Sequence, residues 1–210
     1  MYYMCNGSGG GNEDLDPCIP PKFDTVAANL TDDVQAFMLV DRSGSARDYV
    51  YRMKRDGNMD NYTDGVDRWT PEQIGLSGTE FNTGQLATLQ AFTDFVISGP
   101  WKTPALNADH YALILFNHGG GVSPRYRAGK LREVVQTGIC WDDTGSYLSV
   151  KDIGRGAAHV ASLLGTKLDI LHLDACLMQT IEVNCELADT VVYLVASENT
   201  GWAVIAGRSW

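Results

Sequence analysis

The chain has 210 residues, 44% of them hydrophobic and 20% charged, which is the profile of an ordinary folded domain rather than a disordered or fibrous chain. Its formal net charge of −10 argues against a nucleic-acid or anionic-membrane partner, since both call for a basic face, and it is compatible with a basic substrate. No apolar run approaches the ~20 residues of a membrane span.

In chain order, Met1–Gly10 reads as the end of a strand entering a glycine-rich loop, not as a secretory leader. The chain is therefore expected to begin inside its first element. Residues 6–22 are rich in Gly, Pro, Asn and Asp and predict a loop. Val34–Asp41 is an apolar run of strand length. Asp48–Trp69 is polar with turn signals at Asp56-Gly and Asp64-Gly, which predicts a hairpin or irregular excursion. Leu86, Leu89, Phe92 or Phe95, and Val96 form a helical stripe within Asn82–Ser98, with Asn82 or Thr83 as the expected cap and Gly99-Pro100 as the stop. Tyr111–Phe116 is a continuous apolar run, as expected of a parallel strand covered on both faces.

Gly119–Gly138 reads as a basic loop carrying Arg125, Arg127, Lys130 and Arg132, with Lys102 as a candidate neighbour. Ser149–Leu164 predicts a helix opened by Ser149 with Asp152 three positions on, a loose capping box. Leu168–Leu173 predicts a strand, Leu177–Leu187 a helix beginning at Cys176, and Val191–Ala196 another buried strand. This alternation implies parallel βαβ units in an α/β sheet with helices on both faces.

The five cysteines are scattered and odd in number, which does not suggest a disulfide framework; Cys5–Cys18 is the one pairing considered. No C-x-x-C pair points to structural zinc. Cys185 fits the apolar face of its helix, His172 a core or supporting position, and His159 and His110 lack metal-ligand spacing.

Two runs carry the chemistry. Tyr111–Gly121 ends in Asn117-His118-Gly-Gly-Gly, and Leu168–Met178 ends in Asp174-Ala-Cys176-Leu-Met. If their strands lie parallel and adjacent, His118 and Cys176 emerge at the same carboxyl edge, where open α/β sheets place ligands. A thiol there is a candidate nucleophile, with the imidazole as acid and base. The glycines allow a tight turn. The backbone amides of Gly119 and Cys176 are the candidate oxyanion donors. A helix starting at Cys176 would also lower its thiol pKa. A serine esterase using His-Gly-Gly-Gly is excluded by the absence of G-x-S-x-G.

These motifs, with Val195-Ala-Ser-Glu-Asn199, Val40-Asp-Arg-Ser-Gly44, Asn82-Thr-Gly84 and Gly138-Ile-Cys-Trp-Asp-Asp143, resemble the clostripain family of cysteine peptidases, bacterial relatives of caspases, legumain and gingipains. The resemblance covers about residues 34–202. It implies one caspase-like peptidase domain over residues 1–210, with a mostly parallel sheet flanked by helices and further family chain beyond Trp210. It implies a cysteine endopeptidase with His118 and Cys176 as its dyad and Asp174 at the floor of the S1 pocket, selecting peptide or protein substrates with Arg or Lys before the scissile bond. A carboxylate at Asp174 can recognise guanidinium bidentately; capping the turn after Cys176 is its other reading. The resemblance further implies maturation by self-cleavage after Lys130 or Arg132. It implies no required cofactor, with calcium entering only through some family members, and a secreted or cell-envelope location in a bacterium. The alternative is an inactive or truncated family member serving as a binding or interaction module.

Overall fold

A computed structural model describes residues 1–5, 15–42, 48–55, 57–99, 108–127, 130–136, 138–200, 204–205 and 208–209, with backbone only over 122–136 and the last four. The glycine run 7–11, Ser43-Gly44, Pro100 and Lys102 lie outside the described residues.

The apolar runs become a seven-stranded sheet. Its strands are β1 (Tyr2–Met4), β2 (Phe37–Val40), β3 (Tyr49–Arg52), β4 (Arg68–Trp69), β5 (Ala112–Phe116), β8 (Leu168–Asp174) and β9 (Val191–Ala196), in the order β4-β3-β2-β1-β5-β8-β9. The five strands β1, β2, β5, β8 and β9 run parallel, and β3 and β4 extend the β2 edge antiparallel. The predicted excursion over 48–69 is thus part of the sheet. The order turns back between β1 and β5, the switch point where a doubly wound sheet opens a crevice.

Helices cover both faces. On one, α2 (Leu86–Ser98), α3 (Val150–Leu164) and α4 (Ile181–Leu187) place Leu89, Phe92, Val160 and Leu187 against Leu113, Leu115, Leu171 and Leu173. On the other, α1 (Ile19–Ala28) packs Ile19 and Phe23 on Met38, Val40, Tyr51 and Phe116. Phe23 meets Tyr51 and Tyr62 edge-on at 5.1 and 5.6 Å. The expected Ser149–Asp152 capping box is present on α3.

Several expectations are corrected. Residues 16–28 are helical, not loop, because Pro20 and Pro21 stand in the first turn of α1, where their missing N–H groups cost no intrahelical bond. Asn82 and Thr83 do not cap α2; its N-cap is Gln85, and Thr83 is buried elsewhere. None of the five cysteines forms a disulfide, and Cys5 and Cys18 belong to apolar clusters on opposite faces of the sheet. Cys185 is exposed because α4 buries the Val183–Leu187 stripe. The edge strand β9 is not buried on both faces, with Tyr193 67% exposed, whereas β5 is covered on both: Phe116 lies in the α1 cluster and Leu113 and Leu115 in the opposite one. The basic loop is an antiparallel hairpin of β6 (Val122–Arg127) and β7 (Lys130–Gln136).

Candidate active site

Strands β5 and β8 are neighbours, parallel, with Phe116 level with Asp174. Two residues past those strand ends stand His118 and Cys176, both half-buried. The register thus brings the two strand ends, and the loops that carry these residues, to one level of the carboxyl edge.

The backbone then locks them together. A Cβ added at Gly119 would fall 2.3 Å from the Cys176 carbonyl oxygen, 2.8 Å from Ala175 Cβ and 3.0 Å from the Cys176 amide nitrogen. At Gly121 (φ 55°) it would fall 2.5 Å from the Leu177 carbonyl oxygen. Only glycine allows this approach, so Gly119–Gly121 clasp the turn 175–177 on one side. On the other side the Leu177 and Gln179 amides donate to the carbonyls of Asn199 (3.1 Å) and Ser197 (3.0 Å). The Ser197-Glu-Asn199 segment is thus the outer wall of the thiol turn, a role that the sequence motif did not reveal.

The turn is strained. Leu177 has φ 60°, a left-handed conformation that costs a non-glycine residue roughly 1–2 kcal/mol. Cys176 is not at a helix N-terminus, as the sequence predicts; residues 175–180 form the turn and α4 starts at Ile181 with Thr180 as N-cap. The misreading has a simple source: Leu177 and Met178 continue an apolar pattern, but Met178 is buried from the turn, not from a helix. No helix-dipole argument applies to the thiol.

The histidine side is held equally. Gly120 N–H donates to the Gly138 carbonyl (3.1 Å) within the Gly119–Ile139 bridge, a pairing that leaves the Gly119 amide outside the ladder. Asn117, next to His118, donates from Nδ2 to the Cys5 carbonyl (2.9 Å) and accepts at Oδ1 from the Trp141 amide (3.0 Å).

Asp174 lies on the α1 face of β8 and is half-buried. It does not cap the following turn. Its Oδ2 accepts from Lys22 Nζ of α1, and that ammonium also sits 4.0 Å from the centroid of the Phe116 ring. No periodic or motif signal points to Lys22. Lys130 and Arg132 lie on β7: Lys130 pairs with Arg127 at the hairpin end, and Arg132 is the unpaired residue of the bulge, between Glu133 (opposite Arg125) and Leu131 (opposite Tyr126).

Behind the reactive turn, three segments meet that no motif had linked. Thr83 Oγ1 bonds Asp41 Oδ2 (2.7 Å), and the Thr83 amide donates to Asp142 Oδ2 (2.8 Å). Asp142 Oδ1 accepts from the Thr144 amide (2.9 Å) and hydroxyl (2.6 Å). Asp48 accepts from the amides of Arg42 (3.0 Å) and Phe81 (2.7 Å). Asp41, Asp48 and Asp142 are all buried. Desolvation, reinforced by Asp48, raises the Asp41 pKa to about 8. Desolvation also raises that of Asp48, to about 7, against its two backbone hydrogen bonds. Their oxygens are engaged by amides and hydroxyls, and among the described residues no group of three or more His, Cys, Asp and Glu is arranged to hold a metal ion.

The remaining histidines have separate partners. His159 Nε2 contacts Asp94 Oδ1 (2.9 Å) between α3 and α2. His110 Nδ1 contacts Asp169 Oδ1 (3.0 Å) at the opposite edge, where hydrogen bonding to that carboxylate raises the imidazole pKa. No helix among the described residues is long and apolar enough to cross a membrane.

The sheet order, the two-faced helix cover and the glycine-clasped thiol turn define a caspase-like α/β domain. Residues 25–206 match the model of the clostripain family, and the chain belongs to that family. It is 32% identical over 159 residues to clostripain of Hathewaya histolytica, covering 71% of this chain and 27% of that protein. Among solved structures it is similar to a secreted C11 cysteine protease of Bacteroides thetaiotaomicron in complex with an irreversible peptide inhibitor, with a TM-score of 0.58 at 15% identity over 95% of this chain and 48% of that one. An inactive zymogen C11 protease of Parabacteroides distasonis superposes with a TM-score of 0.54 at 16% identity, over 98% and 49% of the two chains. The chain thus spans about a quarter of the clostripain it matches and about half of these structures.

Proposed function

We propose that this chain carries the catalytic centre of a cysteine endopeptidase that cuts after Arg or Lys. The observation that carries the reading is the clasp of Gly119–Gly121 on the turn 175–177, which joins the His118 and Cys176 loops at one sheet edge. Cys176 Sγ, its proton passed to His118, attacks the carbonyl carbon of the scissile bond. The oxyanion formed is met by the amides of Gly119 and Cys176; one such donor is typically worth ~3 kcal/mol of barrier. His118 returns the proton to the leaving amine, and water then hydrolyses the thioester with His118 as base. Asp174 takes the substrate's cationic side chain.

A fluorogenic arginine amide tests this reading. Cys176→Ala is expected to abolish turnover and His118→Ala to lower kcat by at least ~10³-fold, in line with losses for acting groups of a triad. Folded wild-type protein with no Cys176-dependent turnover, its hairpin already cut, would overturn it.

Self-cleavage in the β6–β7 hairpin is part of the same reading. The bulge at Arg132 breaks the ladder locally and favours the Arg132–Glu133 bond over Lys130–Leu131, which is paired on both sides. N-terminal sequencing after incubation should find a new terminus in wild type and none in Cys176→Ala; identical fragments from both would rule self-processing out. A secreted or cell-envelope location in a bacterium goes with this function, supported by the similarity to a protease described as secreted. Cell fractionation in the native host checks it.

A further inference from the structure

Lys22 has no part in the chemistry just described, yet its ammonium occupies the Asp174 carboxylate. Helix α1 projects it across the Phe116 ring, which ends β5 at the level of Asp174. The Lys22 stem therefore lies between the crevice at the switch point and the carboxylate assigned to the substrate's basic side chain. Both partners are partly open, with side chains 30% and 36% exposed, so substrate can reach them and solvent screens them.

We propose that Lys22 is an internal competitor for the Asp174 subsite: a resident lysine that a substrate's arginine or lysine must displace, and that sets how strongly cationic side chains are selected. This rests on the reading of Asp174 as the specificity residue. Three consequences of the contact support it. First, an ammonium on Oδ2 leaves the carboxylate one oxygen short of the two-pronged acceptor that a guanidinium prefers. Second, a part-exposed ion pair is weak, so the resident lysine can be displaced. Third, Phe116 gives the displaced ammonium an aromatic face to remain on, so opening the subsite does not strand a buried charge. A competitor that must leave before any cationic side chain binds weakens Arg and Lys substrates by the same factor. The contact thus lowers the affinity for basic side chains as a class.

The effect belongs to ground-state binding, and its signature is a change in KM with little change in kcat. In Lys22→Met, which keeps an apolar stem on Phe116, KM for the arginine amide should fall ~3- to 10-fold, the range of a weak ion pair. KM for the matching lysine amide should fall by the same factor. Lys167→Met removes the same charge from the far edge, where Lys167 Nζ donates to the Ala188 carbonyl (2.9 Å), and should leave KM unchanged. Binding reports the same quantity without turnover. On a Cys176→Ala background, benzamidine should bind ~3- to 10-fold more tightly after Lys22→Met, while uncharged benzamide should show no change.

An unchanged benzamidine affinity in Lys22→Met, where Asp174→Asn weakens it, would overturn the competitor proposal and leave the specificity reading intact. If Asp174→Asn itself has no effect on benzamidine binding or Arg preference, the specificity reading fails first. Lys22→Arg, which restores a cation, should raise KM to the wild-type value or above it; a KM like that of Lys22→Met would also overturn the proposal.

Discussion

Two clusters of polar groups stand at the same carboxyl edge of the sheet and are built in opposite ways. At the β5–β8 end, the half-buried His118 and Cys176 sit on loops tied by backbone: glycine contacts, a left-handed Leu177 and amides donating to Ser197 and Asn199. At the β1–β2 end, Asp41, Asp48, Asp142 and Thr83 are buried and held by side-chain hydrogen bonds. In the first cluster the backbone fixes the loops; in the second, side-chain hydrogen bonds do. The link between them is the 138–146 segment: Asp142 is held by Thr83, while Gly138 and Trp141 of the same segment bond Gly120 and Asn117 on either side of His118. The buried cluster is thus support for the reactive one. It follows that changes at the first should appear in the rate and changes at the second in stability.

The largest effect that separates the two is expected at Gly119. A methyl group there would need to move the Cys176 carbonyl, which a Cβ would approach to 2.3 Å. Gly119→Ala should lower kcat/KM by ~10²-fold, the loss associated with a displacement of order 1 Å, with a melting temperature close to wild type. Gly75→Ala is the matching control: its φ is 91° but a Cβ would have open space, so it should lose stability and keep its rate. Equal losses of rate in both would remove the special status of the clasp.

Next comes Thr83→Val, nearly the same shape without the hydroxyl. It leaves Asp41 Oδ2 short of its 2.7 Å partner in a buried site, which should cost about 1–3 kcal/mol in urea unfolding. Measured well below the melting temperature, kcat/KM should stay within a few-fold. A rate collapse like that of Gly119→Ala, without loss of stability, would mean that Thr83 acts on the chemistry and that the division between the clusters is wrong.

How much of this was legible in the chain differs between the clusters for the same reason. His118 and Cys176 each end a continuous apolar run, so strand period and parallel pairing suffice to bring them level, and the glycines beside His118 announce a tight approach. The carboxyl cluster leaves no such trace. Asp41, Thr83 and Asp142 stand 42 and 59 positions apart, in three loops whose meeting depends on the strand order β2-β1-β5 and on the bridge between Gly119 and Ile139. Family resemblance flagged all three stretches without saying that they touch. Lys22 leaves no signal for another reason: Pro20 and Pro21 read as loop, which hides the helix face that carries it. Cys185 reads as an apolar-face residue because the apolar pattern starts the helix at Leu177, four residues before Ile181.

The smallest expected effect, per unit of pH, is also the most diagnostic of burial. An ordinary Asp gives up its proton near pH 3.8 in the unfolded chain, whereas folded Asp41 and Asp48 hold theirs to about 8 and about 7. Between these limits the folded state binds more protons, so stability must fall as pH rises, by up to about 1.4 kcal/mol per unit for each group. Below pH 4 the two groups contribute no slope, and above pH 8 their whole penalty is present. The Asp48 charge is among the causes that raise Asp41, so the slope belongs to the pair and not to one residue. Urea unfolding from pH 5 to 9 should show stability declining through pH 6–8 in wild type, and a shallower decline in Asp41→Asn, which has no proton to lose. The reactive edge predicts no such pattern for its own substitutions: Cys176→Ala should follow the wild-type curve. A wild-type stability that is flat or rising over pH 6–8, or an Asp41→Asn curve parallel to it, would show that these carboxyls are ionised when folded. The buried cluster would then hold its loops by charge rather than by a retained proton.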